Sequence, residues 1–204
     1  MDWNRALEPL IDKYRGRPHP LAYHSRYQLL VMVILSAQDS DRHINALASE
    51  LFQVFPSMDA LARATEGDLF GLLSSVRNFE NKTRWLMNLA SMVGTDEAIP
   101  RNLTELTNLP GIGRKSANVI LRESGLPAEG IIVDLHVVRV APRIGIASGS
   151  NPEKIEKQLM QALDRETWAE AGMALSFLGR ELCRPTNPSC RACPMNSVCE
   201  FALG

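Results

Sequence analysis

Leu109-Pro110-Gly111-Ile112-Gly113-Arg114-Lys115 lies between two segments of helical periodicity, Leu103 to Thr107 and Lys115 to Ser124. Pro110 stiffens the approach, Gly111 and Gly113 permit a tight turn and a close backbone approach, and the next helix begins with N–H groups pointing into the turn. That geometry suits one phosphate. A bare GxG would equally make a plain corner between two helices. Here the turn, the amide donors and the cations of Arg114 and Lys115 coincide. Lys115 has two readings, a surface phosphate contact or an amine nucleophile that forms a Schiff base. The second requires a neutral amine and therefore desolvation, a nearby positive charge or a base.

Outward from this hairpin, helical periodicity dominates and predicts an all-α fold. Helices are expected over Trp3 to Tyr14, Arg26 to Ala37, Asp41 to Val54, Met58 to Ala64, Glu66 to Ser74, Lys82 to Val93, Leu135 to Ile144, Pro152 to Leu163 and Thr167 to Leu182. The one short run with strand character is Ile131 to Val133. Trp85, Leu86, Leu89, Met92 and Val93 form one apolar stripe, and Leu159, Leu163, Trp168, Leu175 and Leu178 another, so both sets are assigned to the core.

The apolar run Ile131-Ile132-Val133 ends in Asp134, at the start of the predicted helix Leu135 to Ile144. Asp at that place is commonly an N-cap. A carboxylate held ionised by first-turn amides can also stabilise positive charge on a sugar or take a proton from an amine. His136 is read as structural.

Lys and Arg number 22 and Asp and Glu 23, for a net charge of −1. Whole-chain electrostatics therefore does not announce a nucleic-acid partner, and any phosphate grip must be local. Leu29 to Leu35 is too short to span a bilayer, and the start MDWNRALEPL lacks a signal-peptide pattern, so a cytoplasmic protein is expected.

All four cysteines fall at the end: Cys183, six residues, Cys190, two, Cys193, five, Cys199. A disulfide framework would spread across the fold, whereas a tight group of reduced thiols points to a metal site. A [4Fe-4S] cluster and a structural zinc are the candidates. Only Cys190 and Cys193 form a CxxC knuckle, which argues against the paired knuckles usual for zinc.

The hairpin LPGIGRKSANVIL, the motif VDLHVVRV and the C-x6-C-x2-C-x5-C tail occur in one order and, with LSAQDSD near the start, resemble the endonuclease III family of helix-hairpin-helix DNA glycosylases. The resemblance implies two helical domains flanking a DNA-binding cleft, residues 20–129 with the hairpin, and 1–19 with 130–204 carrying the cluster loop. It implies base-excision repair: an N-glycosylase for oxidised pyrimidines with abasic-site lyase activity, on a lesion nucleotide flipped out of the duplex. By motif match Lys115 is the nucleophile and Asp134 the assisting carboxylate. Cys183, Cys190, Cys193 and Cys199 are ligands of a [4Fe-4S] cluster. Gln38 matches the residue inserted toward the gap, Gly111, Gly113 and Arg114 the phosphate grip, and Arg184 and Arg191 are candidate backbone contacts. The implied partner is double-stranded DNA containing damaged bases or abasic sites, bound by a monomer, with no membrane partner.

Three departures bear on the lesion. Where the family has a wedge leucine in a turn like VGLYN, this chain reads Val76-Arg77-Asn78-Phe79-Glu80, so Asn78 or Phe79 is the expected wedge. The stretch from Lys115 to Asp134 is one residue longer than usual, and Leu135 replaces a common threonine. Mismatched thymine or uracil is thus an alternative substrate, and a non-catalytic DNA-binding module an alternative function.

Overall fold

The computed structural model describes Met1–Gly204. Its helices are α1 (Trp3–Tyr14), α2 (Arg26–Leu35), α3 (Asp41–Val54), α4 (Met58–Ala62), α5 (Glu66–Leu73), α6 (Phe79–Val93), α7 (Leu103–Thr107), α8 (Arg114–Glu123), α9 (Leu135–Ile144), α10 (Pro152–Ala162), α11 (Trp168–Glu181) and α12 (Glu200–Leu203). The fold is all-α, as expected. Starts are set locally: Ser25, Ser40, Ser57, Asn102 and Asn151 each accept from the backbone N–H three residues on. Thr65 and Asp68 close a reciprocal capping box. The chain divides into two compact units, Pro18–Leu126, and Met1–Arg17 with Pro127–Gly204.

In the first unit α2 is apolar on every side and Leu29–Leu35 are buried, so it forms the axis against which α3, α6 and α8 pack. The α6 seam consists of Lys82, Thr83, Leu86, Leu89 and Ala90. Met92, expected in the core, is 61% exposed, because it falls about 200° around the helix from Ala90. Helix α2 stops at Leu35 instead of Ala37. Lys82 Nζ donates to the carbonyls of Leu35 and Ala37, both at 2.7 Å, and satisfies groups that end the helix.

In the second unit α11 is central. Ala171 to Gly179 are all buried, with α1 and α9 packed on the helix. Two glycines make close packing possible: a Cβ on Gly172 would lie 2.7 Å from the backbone N and O of Ile132, and one on Gly179 2.7 Å from His136 Cβ. Ile131–Val133 is therefore no strand. The segment is buried against a helix, without a second strand to pair with. Gly145 closes α9 with φ 96°, a left-handed conformation that favours glycine, and the Glu200 side chain of α12 lies over it.

Candidate functional site

The predicted hairpin forms as a turn joining α7 to α8. Gly111 has φ 79°, which favours glycine, and a Cβ there would stand tightly at 3.0 Å from the Trp85 ring and 3.3 Å from Ile34. Gly113 is different. It is extended, with nothing near its absent side chain, and it precedes α8 without contributing a side-chain cap. The start of α8 thus faces open space through a position with no side chain to shield its amides. Arg114 and Lys115 are exposed in this first turn.

Asp134 is the N-cap of α9. Its Oδ1 accepts from the N–H groups of His136 and Val137, each at 2.9 Å, and its Oδ2 accepts the Ser176 hydroxyl at 2.6 Å. Three donors thus orient one carboxylate. Ser176 is only 1% exposed, on the buried face of α11. Sequence reading missed it; the signal available was a lone hydroxyl inside the apolar run Ala171 to Leu178. Leu135, next along, projects into solvent at 71% exposure. His136 Nδ1 lies 3.3 Å from the Arg139 guanidinium, which also bonds the carbonyls of Gly179 and Cys183.

Gln38 and Asn78 are both exposed, and both adopt the left-handed backbone rare for non-glycine residues, with φ 59° and 58°. Phe79 is half-buried, with its ring edge-on to Phe70 at 5.3 Å between centroids. Between the turns lies Asp39. Its Oδ1 accepts from the Ser40 N–H and bonds His43 Nδ1, both at 2.8 Å, and its Oδ2 accepts the Arg77 N–H at 3.0 Å. Burial pulls this carboxyl upward, but the bonds from Arg77, His43 and Ser40 outweigh it and hold Asp39 below the usual carboxylate range. Burial lowers Lys82, opposed by the Asp39 charge and assisted by that of Arg77.

The four cysteines line one small cavity of about 20 Å³, shared with Ile144, Leu178, Leu182 and Phe201. Burial pushes the Cys193 thiol up, the Met195 N–H opposes this, and Cys199, Cys183 and Cys190 add to the rise by their proximity. No three His, Cys, Asp or Glu side chains are arranged to hold one metal ion. Arg143 fastens the tail: it donates to the carbonyls of Arg184 and Pro185 at 2.8 and 3.0 Å, reaches Cys183 Sγ at 3.6 Å, and stacks on Phe201. Arg184 and Arg191, on the same tail, are exposed.

Residues 31–165 match the model of the HhH-GPD superfamily base excision DNA repair proteins. The chain is 34% identical to endonuclease III of Rickettsia felis, over 92% of this chain and 90% of that protein. It is 33% identical to endonuclease III of Bacillus subtilis, over 95% and 90%. A solved structure of a trapped endonuclease III–DNA covalent intermediate, an estranged-adenine complex, has the same fold at TM-score 0.86 and 29% identity, covering 98% of this chain and 94% of that one. With a family match over more than half its length and relatives aligned nearly end to end, this chain belongs to the HhH-GPD superfamily of base excision DNA repair proteins.

Proposed function

We propose that the protein is a DNA N-glycosylase with associated abasic-site lyase activity, acting on oxidised pyrimidines in double-stranded DNA. The observation that carries this reading is Lys115, exposed in the first turn of α8 just past the open Gly113, in a chain whose structural relative was solved as a covalent intermediate with DNA. The α8 amides and Arg114 hold a backbone phosphate. Lys115 then attacks the sugar C1′. The new C1′–N bond forms as the glycosidic bond breaks, and the electron pair leaves with the base, which takes a proton from water. The C1′–O4′ bond then breaks as O4′ takes a proton from water, which yields an imine. Water takes a C2′ proton, the electron pair of that C–H bond expels the 3′ phosphate and nicks the strand, and a further water hydrolyses the imine to release the lysine. Because Lys115 is exposed in the free protein, a seated duplex supplies the desolvation that a neutral amine needs.

Asp134, oriented by three donors, stabilises positive charge on the sugar and accepts the proton of the attacking amine. Gln38 and Asn78 enter the duplex. Asn78 is preferred to Phe79 as the wedge because the Phe79 ring is engaged with Phe70. Cys183, Cys190, Cys193 and Cys199 would hold a [4Fe-4S] cluster. The spacing of the four cysteines, with a single CxxC knuckle, suits a multinuclear centre better than the paired knuckles usual for structural zinc. When bound, the cluster cross-links a tail that has little core of its own, and Arg184 and Arg191 on that tail meet phosphates. No helix is long and apolar enough to cross a membrane, and we assign the protein to the cytoplasm as a monomer.

Borohydride reduction tests the central step. It should trap a covalent complex with a duplex containing an abasic site, and Lys115→Gln should abolish trapping while sparing binding. No trapping by the wild-type protein would leave a non-catalytic binder or a water-using glycosylase. A panel of duplexes with oxidised pyrimidine, uracil and mismatched thymine distinguishes the substrates.

A further inference from the structure

Left-handed backbone at a non-glycine residue is costly and persists only where the surroundings hold it. Gln38 and Asn78 both carry it, on turns forty residues apart in sequence. Two links join these turns, both donated from the Asn78 side. Asp39, next to Gln38, accepts the N–H of Arg77, next to Asn78. Lys82, on α6 one turn beyond Asn78, donates to Leu35 and Ala37. His43 adds a third connection, with Nδ1 on Asp39 and Nε2 3.1 Å from the Ser75 hydroxyl. Lys82 is 1% exposed and belongs to the core of its unit, whereas Asp39 bonds exposed turn tips.

We infer that Asp39 is a positioning residue for duplex interrogation: it locks the Gln38 and Asn78 turns at a fixed separation, so that both side chains enter the duplex as one rigid probe. The inference rests on the proposed reading that these two side chains enter DNA. A carboxylate suits the task because one group can accept from both turns at once, and bonds to a charged acceptor are stronger than neutral ones. Pre-set turns spare the protein the entropy of ordering two loops when it meets a lesion.

The test uses a duplex with 2-aminopurine opposite an abasic site, whose fluorescence rises when a side chain unstacks it. Asp39→Ala should suppress that rise and increase the half-saturation concentration for lesion DNA roughly tenfold, the size expected for losing bonds to a charged group. The single-turnover lyase rate at saturating DNA should stay within about twofold, because neither Lys115 nor Asp134 is touched. Gln38→Ala/Asn78→Ala should lose the same signal, and adding Asp39→Ala to that pair should cost nothing more. Wild-type fluorescence and half-saturation in Asp39→Ala, or additive loss in the triple variant, would overturn the inference. If the Gln38→Ala/Asn78→Ala protein kept the full signal, the assignment of the probing side chains would itself be wrong, and the inference would fall with it. Should Asp39→Ala not fold, Asp39→Asn keeps an acceptor and the side-chain shape. It should lose part of the signal, and a wild-type result would refute the idea.

Discussion

Replacing Ser176 by Ala removes one hydroxyl and one hydrogen bond, and its consequence can be sized from the site. The lost bond spans 2.6 Å to Asp134 Oδ2, a separation typical of a hydroxyl donating to a carboxylate. Bonds to charged acceptors contribute about 1.5–3 kcal/mol. Asp134 is half-buried, so water can partly replace the hydroxyl, which places the cost at the lower end, about 1.5 kcal/mol, or roughly tenfold in rate. The two amides on Oδ1 remain, so the carboxylate stays at the helix cap but is free to turn about them. Base excision, which needs Asp134 aimed at charge developing on the sugar, should slow about tenfold. Cleavage at a preformed abasic site should slow less, because no base has to be expelled. Alanine fits where serine stood, so the thermal cost should be limited to the lost bond, a fall of only a few degrees in melting temperature. Single-turnover reactions on labelled duplexes containing an oxidised pyrimidine or an abasic site, resolved on denaturing gels, measure both rates. Excision within twofold of wild type would show that Ser176 does not serve Asp134, and an equal loss on both substrates would point to impaired binding instead.

Two further outcomes are expected. Purified protein should contain iron and absorb broadly at roughly 400 nm, and Cys190→Ser should lower folding yield and DNA affinity together; zinc without iron, or a fully soluble and tight-binding variant, would remove the cluster and its structural role. Because Asp39 is held below the usual carboxylate range, its contribution to stability is present above the unfolded value of about 3.9 and is lost as pH falls through the lower folded value; melting curves should show Asp39→Asn less stable than wild type near neutrality with the gap closing as the pH is lowered beneath the unfolded value, and a gap independent of pH would contradict the assignment.

Local chemistry explains what could be read from the chain. Caps, turn glycines and periodicity place the helices and the hairpin, because each depends on residues within three or four positions. Boundaries failed where a distant group intervened: α2 ends early because Lys82 takes the carbonyls at its C-terminal end. Ile131–Val133 reads as a strand because a buried apolar run has the same composition whether it lies on a sheet or against a helix, and only Gly172, about forty residues on, decides the matter. Cysteine spacing pointed to a shared centre. It gave no hint of Arg143, whose hydrogen bonds fasten the tail from α9.

The same reasoning separates the parts of the site by how they are held. Lys115 stands on a hairpin built from neighbours in sequence, so the motif that contains it already specifies its surroundings. Asp134 is half specified: its cap bonds are local, but Ser176 reaches it from 42 residues away. The Gln38 and Asn78 turns are joined almost wholly by long-range contacts, from Asp39 to Arg77 and from Lys82 to Leu35 and Ala37. Chemistry that must be done at one sugar carbon on any lesion can rest on a local motif. On the proposed reading, discrimination between duplexes depends on the spacing of the Gln38 and Asn78 side chains, which is set by links far apart in sequence and separate from Lys115. On the proposed reading of Asn78 as the wedge, it is best studied together with Asp39 and Lys82, whose hydrogen bonds join its turn to that of Gln38.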